Sequence, residues 1–169
     1  MHVMVVGGAG YIGSHAVKQL IEAGHQVVVV DNLYRGHVQA VHPEAAFYEA
    51  DLLDTEKLAG ILSDHEVECV MHFAALAYVG ESVSEPLAYY WNNTAGTISL
   101  LGAMRQAGVR RLVFSSTAAT YGEVKHQLSV LAKIGSQTLD QTHNFGESGL
   151  AIWWTIAQKP LLGGMAHFE

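Results

Sequence analysis

The stretch VMVVGGAGYIG, residues 3–13, leaves the chain few folds to choose from. A short β-branched run (2–6) ends in glycines, as a buried strand does when the backbone must turn sharply at its end. Residues 11–23 then carry Ile12, Val17, Leu20 and Ile21 at helical spacing, and Gly24 stands where a helix C-terminus wants glycine. Gly7, Gly10 and Gly13 sit between the two in a G-x-x-G-x-x-G pattern. The first glycine allows a tight turn, the second lets a phosphate approach the backbone, and the third lets the helix pack on the strand. The free N–H groups and the positive dipole end of the helix then face an anion.

The same alternation continues along the chain. QVVVV (26–30), AAFYEA (45–50), VECVMHF (67–73) and RRLVFSS (110–116) read as strands. Helices are predicted over 53–65 and over 86–107, the second opened by Pro86 and stopped by Gly108. All-apolar strands separated by helix-length segments imply a parallel sheet covered on both faces. That is an α/β, Rossmann-type doubly wound fold with three layers, α/β/α. Asp31 closes the second strand eighteen residues after Gly13, near the ~20 at which a ribose-binding acid is found. Its charge favours NAD over NADP, because a 2′-phosphate would be repelled. A structural glycine turn followed by a chance aspartate is the competing account.

Bulk properties narrow the partners. The chain has 169 residues, room for one domain with a real core, with 50% hydrophobic and 15% charged residues. Its net charge of −7, with no basic stripe, argues against nucleic acid. No apolar stretch approaches the ~18 residues of a spanning helix, and the N-terminus lacks the features of a signal peptide, so no membrane and a cytoplasmic location are expected. The single cysteine, Cys69, lies in an apolar run without a cationic neighbour in sequence and reads as a small buried hydrophobe. Ten histidines show no metal-ligand spacing, so no metal is expected, and His72 reads as a hydrogen-bonded core residue. The sequon Asn92-Asn93-Thr94 reads as incidental.

GGAGYIGSH, VVVVDNLYRGH, YEADLLD, VMHFAALAYVGESVSEPLAYYWNNTAGTISLLGAM and LVFSSTAATYGE together resemble the UDP-glucose 4-epimerase family of the extended short-chain dehydrogenase/reductase superfamily. The resemblance runs from residue 1 to about 123. It implies that Tyr11 and Ile12 contact a cofactor pyrophosphate. Asp31, Asn32, Leu33 and Gly36 would surround the adenosine ribose, with Asp51 and Leu52 at the adenine. Phe73, Ala74, Ala75, Leu76 and Ala77 would run under the cofactor, Ala77 standing where many epimerases have lysine. Asn92 would contact the cofactor from the long helix, and Ser115 would lie at the end of the fifth strand. Thr117 would hydrogen-bond the reacting sugar oxygen. The implied activity is NAD-dependent interconversion of UDP-glucose and UDP-galactose at C4, with a UDP-sugar as partner. A homodimer through 86–107 and the helix after residue 145 is also implied. Two readings remain beside it: another enzyme of the superfamily acting on a nucleotide sugar, and a non-catalytic NAD-binding module.

The last third departs from the family. HNFGESGLAI (143–152) aligns with its Tyr-x-x-x-Lys helix, placing Phe145 on the tyrosine and Gly149 on the lysine. Neither carries a titratable group, so proton transfer has no agent there. The division expected is an NAD-binding domain over 1–123 and a divergent tail over 124–169. The substrate domain would be absent and the sheet incomplete at its C-terminal edge. A frameshifted or truncated reading of an epimerase gene accounts for these departures together. Translating the DNA beyond codon 123 in the other two frames is expected to reveal a Tyr-x-x-x-Lys helix and a substrate domain; neither frame doing so would overturn that account.

Overall fold

The computed structural model describes residues 1–115 and the backbone of residues 154–156. Met1–Leu112 form one compact unit and Val113–Ile156 belong to a second. In the first unit, β1 (His2–Val6) leads into α1 (Tyr11–Glu22), β2 (Gln26–Asp31), β3 (Ala46–Glu49), α2 (Thr55–Asp64) and β4 (Cys69–His72). The sheet order β3-β2-β1-β4 is parallel throughout. The backbone N–H of Val70 donates to Arg111 O (2.9 Å), bringing the start of β5 (Leu112–Ser115) beside β4. The order in which strands are added therefore reverses between β1 and β4, with β2 and β3 on one side of β1 and β4 on the other, the place where doubly wound sheets open a ligand crevice. Register matters here: Val6 lies level with Val30 and with His72, so Gly7, Asp31 and Phe73 leave the sheet at one edge.

Alternation along the strands supplies both cores. Met4, Val6, Val28 and Val30 point to one face, where Leu58 and Leu62 of α2 and Leu100 and Met104 of α5 (Gly96–Gln106) cover them. Val3, Val5, Val27 and Val29 point to the other, under Val17, Leu20 and Ile21 of α1. This is the doubly wound, three-layer arrangement that the all-apolar strands imply. Asp54 caps α2, its side chain accepting from Lys57 N at 3.1 Å. Among the described residues no helix is long and apolar enough to cross a membrane.

The predicted helix 86–107 is not uniform. It comprises α4 (Pro86–Tyr89), a π-helical turn over Tyr90–Ala95, and α5. Adjacent asparagines weaken the regular helix here, and the amide of Asn93 bonds to backbone outside it, an interaction sequence spacing does not register. A six-residue helix, α3 (Val79–Ser84), precedes it and is too short to show a period in sequence.

In the second unit, β6 (Trp154–Ile156) pairs antiparallel with β5, Ser115 opposite Trp154 and Val113 opposite Ile156. Three residues of the tail thus supply ladder partners to β5. Thr117, Phe145 and Gly149 lie outside the described residues.

His72 is 3% exposed, and burial lowers its pKa to about 4. Its folded value lies below the ordinary ~6.5, so it favours the native state fully above pH ~6.5 and progressively less as pH falls towards 4. Urea titrations from pH 7.5 to 4 are expected to show this His72 contribution, about 3 kcal/mol at most, being lost. In a His72→Gln variant the pH slope should flatten; an unchanged slope would remove His72 as its source.

Candidate functional site

Three loops leave the carboxyl ends of β1, β2 and β4 and wall an open cleft of about 110 Å³. Gly7 begins the first loop with φ +79°, and a Cβ there would stand 2.6 Å from Ala74 N, so the loops after β1 and β4 touch backbone to backbone. Gly13 meets the same constraint from the helix side: its Cβ would fall 2.1 Å from Gly7 O. With Gly10 as N-cap in extended conformation and without a capping side chain, the first-turn amides of α1 at Tyr11, Ile12 and Gly13 have no intrahelical acceptor. That end of α1 can accept an anion through N–H groups and dipole.

Asp31 is 8% exposed and anchors the second loop. Its Oδ2 accepts from Ala9 N (3.0 Å) and its Oδ1 from Leu33 N (2.9 Å), while His37 N donates to Ala9 O (3.0 Å). The loop after β2 is thus tied to the glycine loop at two points. Each carboxylate oxygen keeps a further lone pair, and Asp31 still lines the cleft. Leu33 adopts φ +57°, an uncommon conformation for a side-chain-bearing residue, held by that Asp31 bond. Asn32 donates to Asp51 Oδ2 (2.9 Å), joining the ends of β2 and β3.

Of the residues singled out from sequence, Gly7, Gly10, Asp31, Asn32 and Gly36 line the cleft from the first two loops. Leu52, Phe73, Ala74, Ala75, Leu76 and Asn92 complete it. Tyr11, Ile12, Gly13, Leu33, Asp51 and Ala77 stand beside its wall; the Tyr11 ring is exposed and lies edge-on to His15. Ser115 ends β5 in the second unit.

Sequence reasoning passed over Tyr34 and Arg35, which also line the cleft. Arg35 Nη2 lies 2.8 and 2.7 Å from the two carboxylate oxygens of Glu81, and its guanidinium sits 4.4 Å from the Tyr78 ring centre and 5.2 Å from that of Tyr34. Tyr89 Oη is 2.7 Å from Glu81 Oε2. The partners are 46 residues apart in sequence, so no local pattern announces them. Asn93 was passed over as well, although two adjacent asparagines inside a helix were a signal. Cys69 is half-buried rather than fully buried, and burial raises its pKa against the opposing pull of Arg111, a cationic neighbour that sequence did not show.

The profile of the NAD dependent epimerase/dehydratase family matches residues 3–156, beyond the point at which the sequence changes character. A curated UDP-glucose 4-epimerase of Lacticaseibacillus casei is 50% identical over 154 residues, covering 90% of this chain and 45% of the relative. One of Klebsiella pneumoniae is 47% identical over 130 residues, which make up 94% of that relative. A crystal structure of UDP-glucose 4-epimerase from Stenotrophomonas maltophila, with bound NAD and formylated UDP-arabinopyranose, superposes with a TM-score of 0.71 at 45% identity. It covers 75% of this chain and 40% of that one. The chain thus spans less than half the length of most of the relatives it matches.

Gly13→Ala is expected to destabilise the protein by about 3 kcal/mol or more, since backbone on both sides must move. Gly24→Ala, at φ +81° with open space around it, should cost only about 1 kcal/mol. Urea midpoints of the two variants check the ranking; equal losses would mean that close packing of α1 on the loop is not what requires Gly13.

Proposed function

Since the chain belongs to the NAD dependent epimerase/dehydratase family, we propose that its cleft binds NAD and that its reaction type is C4 epimerisation of UDP-glucose and UDP-galactose. The observation that carries the reading is the Asp31 carboxylate fixed against the glycine loop at the mouth of the β1–β4 crevice. Gly7 and Gly10 would admit the pyrophosphate, with the amides at Tyr11, Ile12 and Gly13 donating to it. Asp31 would accept from the ribose hydroxyls and repel a 2′-phosphate, with Asn32, Leu33 and Gly36 shaping the ribose pocket. Asp51 and Leu52 would flank the adenine. The loop from Phe73 through Ala74, Ala75, Leu76 and Ala77, with Asn92 opposite, would bear the nicotinamide half.

Bound NAD would supply the hydride acceptor for C4. Thr117 would hydrogen-bond the reacting oxygen. Removal of the C4 hydroxyl proton falls to the positions held by Phe145 and Gly149, which offer neither base nor charge. That observation favours a second reading for this chain, a non-catalytic NAD-binding module. The domain division proposed is 1–123 for cofactor binding and 124–169 as a divergent tail.

A homodimer is part of the proposal. Leu87, Tyr90, Trp91 and Ile98 are all exposed along the helical stretch beginning at Pro86, an apolar surface suited to a second copy. The proposed setting is the cytoplasm, with a UDP-sugar as the small-molecule partner.

Purified chain is expected to bind NAD+ in calorimetry at least tenfold more tightly than NADP+, and to show no turnover of UDP-galactose in a coupled assay. Failure to bind NAD+ would overturn the cofactor assignment. Measurable turnover would overturn the non-catalytic reading and establish that residues other than Phe145 and Gly149 move the proton.

A further inference from the structure

The loop 73–78 walls the cleft without secondary structure of its own, so something else must hold it. The structure shows one such attachment in detail. Leu76 N donates to Asn93 Oδ1 at 2.8 Å, and Asn93 Nδ2 donates to Leu76 O at 2.9 Å. The side-chain amide thereby satisfies both backbone groups of one loop residue, as a neighbouring strand would. Asn93 is itself fixed: Asn92 Nδ2 donates to the same Oδ1 (2.8 Å), and Thr97 Oγ1 donates to the Asn93 carbonyl (2.6 Å). The Thr97 hydroxyl proton is then spent, so His72 Nε2, 3.0 Å away, is the donor to Thr97 Oγ1. A continuous path of hydrogen bonds runs from β4 through the helix to the middle of the loop that β4 itself begins. The π-helical turn coincides with Asn92 and Asn93, and such turns recur where a helix serves a site.

We propose that Asn93 is a positioning residue for cofactor binding: its amide sets the height of the Phe73–Leu76 backbone against the cleft, while Asn92 alone of the pair lines it. The proposal rests on the dinucleotide reading of the cleft. Only a side chain with a donor and an acceptor on one planar terminus meets the requirement at Leu76. Leucine at this position keeps the bulk and loses both bonds, and aspartate keeps the acceptor for Leu76 N while facing Leu76 O with no donor. Glutamine retains the amide one methylene further out.

The full-length chain and its Asn93→Leu, Asn93→Asp and Asn93→Gln variants can be compared by amide hydrogen exchange without ligand and by calorimetry with NAD+. Thr94→Ala, an exposed change in the same turn, serves as the control. Asn93→Leu is expected to speed exchange of the Leu76 amide at least tenfold, with amides of β1 and β2 still protected, and to weaken NAD+ at least tenfold. Asn93→Gln should regain part of both effects, and Thr94→Ala should change neither. Unaltered Leu76 exchange in Asn93→Leu overturns the proposal, as does faster exchange with NAD+ affinity unchanged. Should Asn93→Leu fail to fold, the same criteria apply to Asn93→Asp. Wild-type chain that binds no NAD+ would overturn the dinucleotide reading and the cofactor half of this proposal, while Leu76 exchange would still decide whether Asn93 holds the loop.

Discussion

Contact between the start of α1 and the backbone of the glycine loop is the constraint on which the rest of the first unit depends. With Gly13 seated on the Gly7 carbonyl, α1 can lie close enough to cover Val3, Val5, Val27 and Val29, and its N-terminal amides end at the mouth of the β1–β4 crevice. A side chain at Gly7 would force the loops after β1 and β4 apart, and one at Gly13 would lift the helix off the sheet. That would expose one core and move the anion-binding end at the same time. Fold and site are coupled through two residues that have no side chains.

Asp31 extends the coupling to the second loop. A carboxylate at a strand end, mostly removed from water, is costly unless it is hydrogen-bonded, and the amides of Ala9 and Leu33 meet that need. The same bonds aim the remaining lone pairs at the cleft. The acid therefore shapes the loop it belongs to and the pocket it faces, and removing it would disturb both.

The range of each interaction decides how much of it was legible in the residues alone. Strand alternation and helical spacing are local, so β1, β2, α1 and α2 could be placed from sequence, as could Gly7, Gly10, Gly13 and Asp31 with their spacing. The broken helix after Pro86 was not legible, because its π turn coincides with contacts to Leu76, seventeen residues earlier. Arg35 and Glu81 meet from 46 residues apart with nothing in either neighbourhood to pair them. Asn93 could have been suspected beside Asn92, yet its partner is a backbone that no sequence pattern marks. The resemblance pointed to residues that face the cleft and was silent about those that hold its walls. Family likeness also reaches residue 156, further than the blocks before residue 123 suggested.

The Arg35–Glu81 pair has an electrostatic consequence. Among the described residues that line the cleft, Arg35 is the one cation, and a carboxylate already neutralises it. From these residues, attraction for a diphosphate would come from oriented backbone dipoles at α1 rather than from free positive charge. Dipoles release no condensed counterions when they meet an anion, and their field falls off over a shorter range than that of an ion. Ionic strength should therefore affect such a cleft far less than one clamped by lysines, and its selectivity would rest on geometry instead of on charge attraction.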